Sequence, residues 1–122
     1  MAYRAIFWKS LPGVDPMEGF PKSKPLGEAI RHAVFMEKRH SPLLEVFDTE
    51  SFLREVATEF PTSKRYENTK IEWHDEHDIT AFIVSAGPQY VELCSFDAEE
   101  EIVARVFEIA DKFGCTHYDQ GN

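Results

Sequence analysis

Cysteine is scarce: the 122 residues contain only Cys94 and Cys115, too few to define a disulfide scaffold. Neither has a motif partner in sequence, and both read as small buried hydrophobic residues in strands. The six glycines are scattered, so there is no glycine-rich loop to cradle a phosphate and no cofactor is expected. No apolar run approaches the ~20 residues that span a bilayer, so no membrane role is expected. The segment Met1–Lys9 lacks a basic start and a small-residue cleavage site. It reads as an opening strand and not a secretory signal, which makes the cytoplasm the expected compartment. Bases are missing where acids are dense. From Ile71 to Asp111 there are eleven acids against one base, Arg105, while the rest of the chain holds twelve bases and eleven acids. The formal net charge of −9 therefore belongs entirely to the later part. Such a field repels a phosphate backbone, so nucleic-acid binding is not expected, and it steers a basic partner inward. Solubility alone is the competing explanation for an acidic surface.

Large apolar side chains are plentiful. Hydrophobic residues make up 43% of the chain and ten are Phe, enough for one packed domain over residues 1–122 and too few residues for two. Residues 2–9 alternate as a strand, with Tyr3, Ala5 and Phe7 on one side and Ile6 and Trp8 on the other. Ser10 to Pro25 holds four of the seven prolines and forms a loop tacked down by Met17 and Phe20. A helical stripe follows at Leu26, Ala29, Ile30, Ala33, Val34 and Glu37, ending near His40 before Pro42. The next helix is capped by Asp48 and stapled by Phe47 and Phe52. It buries Phe52, Leu53, Val56, Ala57 and Phe60 and stops at Pro61. Residues 62–70 read as irregular.

Three strands in meander order follow, at roughly 68–75, 78–86 and 89–96. Asp97 opens the last helix, with Glu100 completing a variant capping box, and Glu99, Glu100 and Glu101 lie at its positive end. Gly114 ends that helix, and Cys115 to Asp119 supply a final strand. The order β-α-α-β-β-β-α-β predicts an α+β fold of two layers, a mostly antiparallel sheet with helices on one face. Period-two alternation places Ile71, Trp73, Ile79, Ala81, Ile83, Val91 and Leu93 under the helices. It leaves Glu72, His74, Thr80, Phe82, Val84, Tyr90, Glu92 and Cys94 on the second face.

No constellation of residues argues for catalysis. Trp73–Asp78 offers two histidines and three carboxylates, but an H-x-x-H spacing across a hairpin tip lacks the converging ligands of a zinc site, and no metal is expected. Cys94, Cys115 and His117 form a thiol–imidazole set only if neighbouring strands bring them together with an orienting group. A second sheet face mixing carboxylates with aromatic groups suits a protein interface instead. The candidate contacts are Glu72, His74, Asp75, Glu76 and Asp78 on the first hairpin, Tyr90 and Glu92 beside them, and Glu99, Glu100 and Glu101 as a second patch.

The opening Tyr3–Trp8 strand, Phe60-Pro61 in mid-chain, a meander starting near Trp73 and the closing Gly114, Tyr118, Asp119 and Gln120 resemble the small immunity proteins of bacterial polymorphic and contact-dependent toxin systems. The resemblance implies a cytoplasmic inhibitor, monomeric or weakly dimeric alone, that binds a cognate toxin domain, commonly a basic nuclease. It transfers no functional residue. The alternatives are a small regulatory or adaptor domain, including a homodimer through a strand edge, and an enzyme using His74 or Cys94 in a pocket on the second face.

Overall fold

The computed structural model describes residues 3–15, 19–20, 22–74, 77, 80–96 and 99–121. The chain runs β1 (Tyr3–Trp8), α1 (Leu26–Ile30), a π-helical turn continuing α1 (Arg31–Met36), α2 (Thr49–Glu59), β2 (Lys64–Tyr66), β3 (Lys70–His74), β4 (Thr80–Gly87), β5 (Tyr90–Ser95), α3 (Glu100–Lys112) and β6 (Thr116–Gly121). The six strands form one sheet in the order β2-β3-β4-β5-β1-β6, with every neighbouring pair antiparallel. This is the expected α+β class, an antiparallel sheet with helices in the expected sequence positions. The expected placement of all helices on one face is corrected, because the first helical segment covers the face opposite α2 and α3. The short β2 falls in the stretch read as irregular. No helix among the described residues is long and apolar enough to cross a membrane.

α2 starts where the sequence places it. The Asp48 carboxylate accepts from the Ser51 backbone N–H at 2.9 Å, satisfying one of the orphan donors at a helix start. α3 differs in detail. Its N-cap is Glu99, without a side-chain cap bond, and Asp97 lies outside the described residues. Gly114 ends α3 at φ 72°, a conformation that L side chains resist.

α2 and α3 share one face of the sheet. Phe52, Leu53, Val56, Val106 and Ile109 pack there against Ala5, Phe7, Ile71, Phe82, Val84, Val91 and Leu93. The first helical segment lies against the opposite face, where Ile30 and Val34 pack on Ile6, Trp8 and Tyr90, with Phe20 beside them. Met17 lies outside the described residues. β1 is apolar in both phases, Ala5 and Phe7 on one side and Ile6 and Trp8 on the other, because it is covered on both.

The expected phase of β4 is reversed. Phe82 and Val84 enter the core with α2 and α3, while Ile83 stands opposite Glu72 and Cys94 on the second face. The cause is an irregularity between Trp73 and His74: Trp73 pairs with Phe82 but His74 pairs with Thr80, so Ala81 is the additional residue. A bulge of one residue shifts every later side chain to the other face. Phe82 then stacks on Trp73 at 5.7 Å and meets Phe60 edge-on at 4.9 Å. Ile79 lies outside the described residues.

The linker between α1 and α2 is pinned by Gln89 of the β4–β5 turn, which is 1% exposed. Its amide oxygen accepts from Ser41 N–H at 2.8 Å, and its amide nitrogen donates to the carbonyls of Ser41 (2.6 Å) and Leu44 (3.0 Å). Replacing Gln89 with Ala strands these backbone groups in a buried site. The expected loss is about 2–3 kcal/mol in urea unfolding. A change within about 0.5 kcal/mol would show that the linker does not depend on this side chain.

Candidate functional site

The candidate contact residues fall into three physically different settings. On β3, Glu72 and His74 are half-buried and linked. Glu72 Oε1 accepts from the Thr80 hydroxyl at 2.6 Å and lies 2.8 Å from His74 Nε2. The Thr80 hydrogen bond, reinforced by His74 against the opposing effect of burial, holds the Glu72 carboxyl below its ordinary range. Lys64 of β2 stands opposite it. Asp75, Glu76 and Asp78 at the hairpin tip lie outside the described residues.

Tyr90 and Glu92 are interior groups, which corrects the expectation that they sit beside the hairpin on a surface. Glu92 is 6% exposed and Tyr90 1%. The Glu92 carboxylate is bound by Arg31, from the helical segment above the sheet, and by Arg4 Nε of β1 at 3.2 Å. The Arg31 guanidinium also lies over the Phe35 ring at 5.5 Å, and Phe35 packs on Tyr90 with ring centres 4.9 Å apart. Burial, then the nearby Glu92 charge, pushes the Tyr90 hydroxyl well above its ordinary range. That hydroxyl is buried with no hydrogen-bond partner among the described residues. The second face is thus closed over β1 and β5. The remainder, over β2 to β4, is partly exposed, with Tyr66 on it 42% accessible.

Glu99, Glu100 and Glu101 are different again. All three are exposed, and none has an ion-pair partner among the described residues. They sit at the positive end of a helix of 13 residues, where the macrodipole favours negative charge. Glu108 and Asp111, which no motif in the sequence sets apart, extend the acidic exposure along α3. Arg105, the one base in the acidic part of the sequence, is turned toward α2. It donates to Glu59 Oε1 at 2.7 Å and to the Glu59 carbonyl at 2.9 Å, and lies 4.5 Å above the Phe60 ring. Lys112 pairs with Glu55 of α2 at 3.9 Å. Both bases of α3 are thus directed toward α2 and not toward its outward carboxylates.

The set Cys94, Cys115 and His117 does not assemble. Cys94 stands opposite Arg4 and Ile83 on the second face, whereas Cys115 packs into the core under α3, and His117 meets the Phe107 ring edge-on at 5.1 Å. Burial pushes both thiols up, Cys115 to about 11, the opposite of an activated nucleophile. No group of three or more His, Cys, Asp or Glu converges to hold a metal among the described residues. A shallow groove of about 410 Å³ runs between the start of α2 and the two hairpin turns, lined by Val46, Phe47, Leu53, Ala86 and Pro88. Its two carboxylates are already engaged, Asp48 in capping Ser51 and Glu50 by Arg65. No protein-family model matches the chain, and neither a curated protein nor a solved structure does.

Two outcomes follow from these settings. Glu92→Gln removes the charge that two guanidinium groups share, and the expected loss is about 2–4 kcal/mol by chemical denaturation. An unchanged midpoint would show that the buried pair carries no weight. The lowered Glu72 pKa means that this carboxylate contributes stability fully above its ordinary value of 4.5, lost as pH falls through the lower folded-state value. In Thr80→Val, carbon-detected NMR should show the Glu72 titration moving up toward 4.5, and acid unfolding should begin at higher pH. A titration that stays in place would refute the assigned cause.

Proposed function

We propose that this chain is a cytoplasmic immunity protein, a non-catalytic inhibitor that occludes a cognate toxin domain with a basic surface. The observation that carries the reading is the unneutralised acidic exposure of α3. Glu99, Glu100 and Glu101 face outward with no ion-pair partner among the described residues, and the one nearby base is spent on Glu59 and Phe60. A domain that grips a nucleic-acid backbone does so with clustered Lys and Arg. A rigid array of carboxylates is the complement of such a cleft, attracting it over distance and competing for its cations at contact. The whole-chain resemblance to immunity proteins of bacterial toxin systems points the same way.

Burial and existing bonds bear on which of the expected contact residues can serve in this reading. Tyr90 and Glu92 are removed from the docking surface by burial, and Glu72 is occupied by Thr80 and His74. The α3 start becomes the principal patch, with Glu108 and Asp111 as additions.

Co-expression of the chain with the toxic product of the adjacent reading frame should restore growth. The combined change Glu99→Lys, Glu100→Lys and Glu101→Lys should leave the fold intact and slow association by about tenfold or more. A neighbouring gene with no toxic product, or an affinity indifferent to the triple reversal, would sink this reading.

A further inference from the structure

Both edges of the sheet are single strands, and they differ in how far each is protected against further pairing. β2 spans three residues, Lys64–Tyr66, two of them basic, and Arg65 is held by Glu50 and by the Asn68 carbonyl at 2.8 Å. Short edges carrying positive charge resist addition of another strand. β6 is twice as long, six residues from Thr116 to Gly121, with neither Pro, Lys nor Arg and with one acid, Asp119. A β-bulge between Asp119 and Gly121 protects its far end, while residues 116–119 stay in regular register with β1 and remain open to pairing. Among the described residues, β1 is the single element joined to β6 by backbone hydrogen bonds.

β6 is also held as a fixed template. Its Tyr118 ring occupies the space left by Gly27 of α1, where a Cβ would come within 2.1 Å of the ring. The Tyr118 hydroxyl meets Glu28 at 3.4 Å. On the other face His117 packs against Phe107.

We propose that β6 pairs antiparallel with β6 of a second copy of this chain, joining the two sheets across a two-fold axis. The register follows from charge. Facing residues of an antiparallel pair share a face, and an axis perpendicular to the sheet relates each strand to itself, so it must pass through a residue position. Centred on Asp119, two carboxylates oppose each other. Centred on His117, two imidazoles do, and the far end of the strand is left over. Centred on Tyr118, His117 faces the partner's Asp119, and the same contact recurs on the other side of the axis. His117 and Asp119 stand opposite Phe7 and Ala5 of β1, hence on one face, and both are exposed. The Asp119 carboxylate already accepts from the Tyr3 hydroxyl and retains lone pairs for a further donor. An imidazole donates to a carboxylate in either of its charge states. Tyr118 is therefore the centre. This dimer does not depend on the inhibitor reading.

Sedimentation equilibrium over a range of concentrations, with amide hydrogen exchange at both ends of it, tests the proposal. The expected result is a monomer–dimer equilibrium in which β6 amides exchange more slowly in the concentrated sample and β2 amides do not. His117→Asp should weaken dimerisation by about tenfold or more, since two attractive contacts become repulsive. His117→Asp combined with Asp119→His should restore it. If the combined variant does not fold by circular dichroism, His117→Lys, which keeps an attractive contact, should dimerise like the parent. A monomer at every concentration overturns the proposal. So does a dimer whose β6 amides are unchanged, as a different surface would give, or one indifferent to His117→Asp.

Discussion

Glu92 is the group around which the molecule is organised. It lies in β5 with its carboxylate held by Arg4 from the neighbouring β1 and by Arg31 from the helical segment above. An ionised carboxylate removed from water is tolerated only when paired and hydrogen-bonded, so its burial requires both partners in place. Arg31 thereby fixes the helical segment on the sheet, and Phe35, Ile30 and Val34 follow it onto Tyr90, Ile6 and Trp8. The sheet is consequently covered on both faces over β1 and β5 and on one face over β3 and β4. The location of the exposed remainder, and of the acids left at the surface, follows from that closure.

Elements governed by local chemistry were legible in the sequence. The Asp48 cap and the Pro61 stop define α2, and Gly114 defines the end of α3, because each acts within a few residues. The meander was legible from its turn residues. What escaped depends on contacts distant in sequence. Glu92, alternating with Tyr90 and Cys94, reads as a solvent-facing position until Arg4 and Arg31 are brought to it. The phase of β4 turns on the bulge opposite Ala81, which no residue type announces. Gln89 in a turn reads as a polar surface residue, yet it is bound to the backbone of Ser41 and Leu44. One signal was available: the doubly apolar β1, with Ile6 and Trp8 as hydrophobic as Ala5 and Phe7, indicates cover on both faces.

The charge asymmetry legible in the sequence is sharpened by folding. Of the acids between Ile71 and Asp111, Glu92 is neutralised inside and Glu72 is engaged by Thr80 and His74. Arg105 is withdrawn toward Glu59 and Phe60. The surface of α3 is left more uniformly negative than composition alone requires. Solubility asks for mixed charge spread over a surface. A cluster of carboxylates at a helix start, with both bases of that helix, Arg105 and Lys112, directed toward α2, is what electrostatic steering needs.

Long-range attraction between α3 and the proposed cationic partner surface is tested most directly by stopped-flow association with the candidate toxin domain as ionic strength is raised. Steered encounter predicts a rate constant that falls steeply with salt, by about tenfold or more between low and physiological ionic strength, while the dissociation rate changes little. An association rate independent of salt would contradict it.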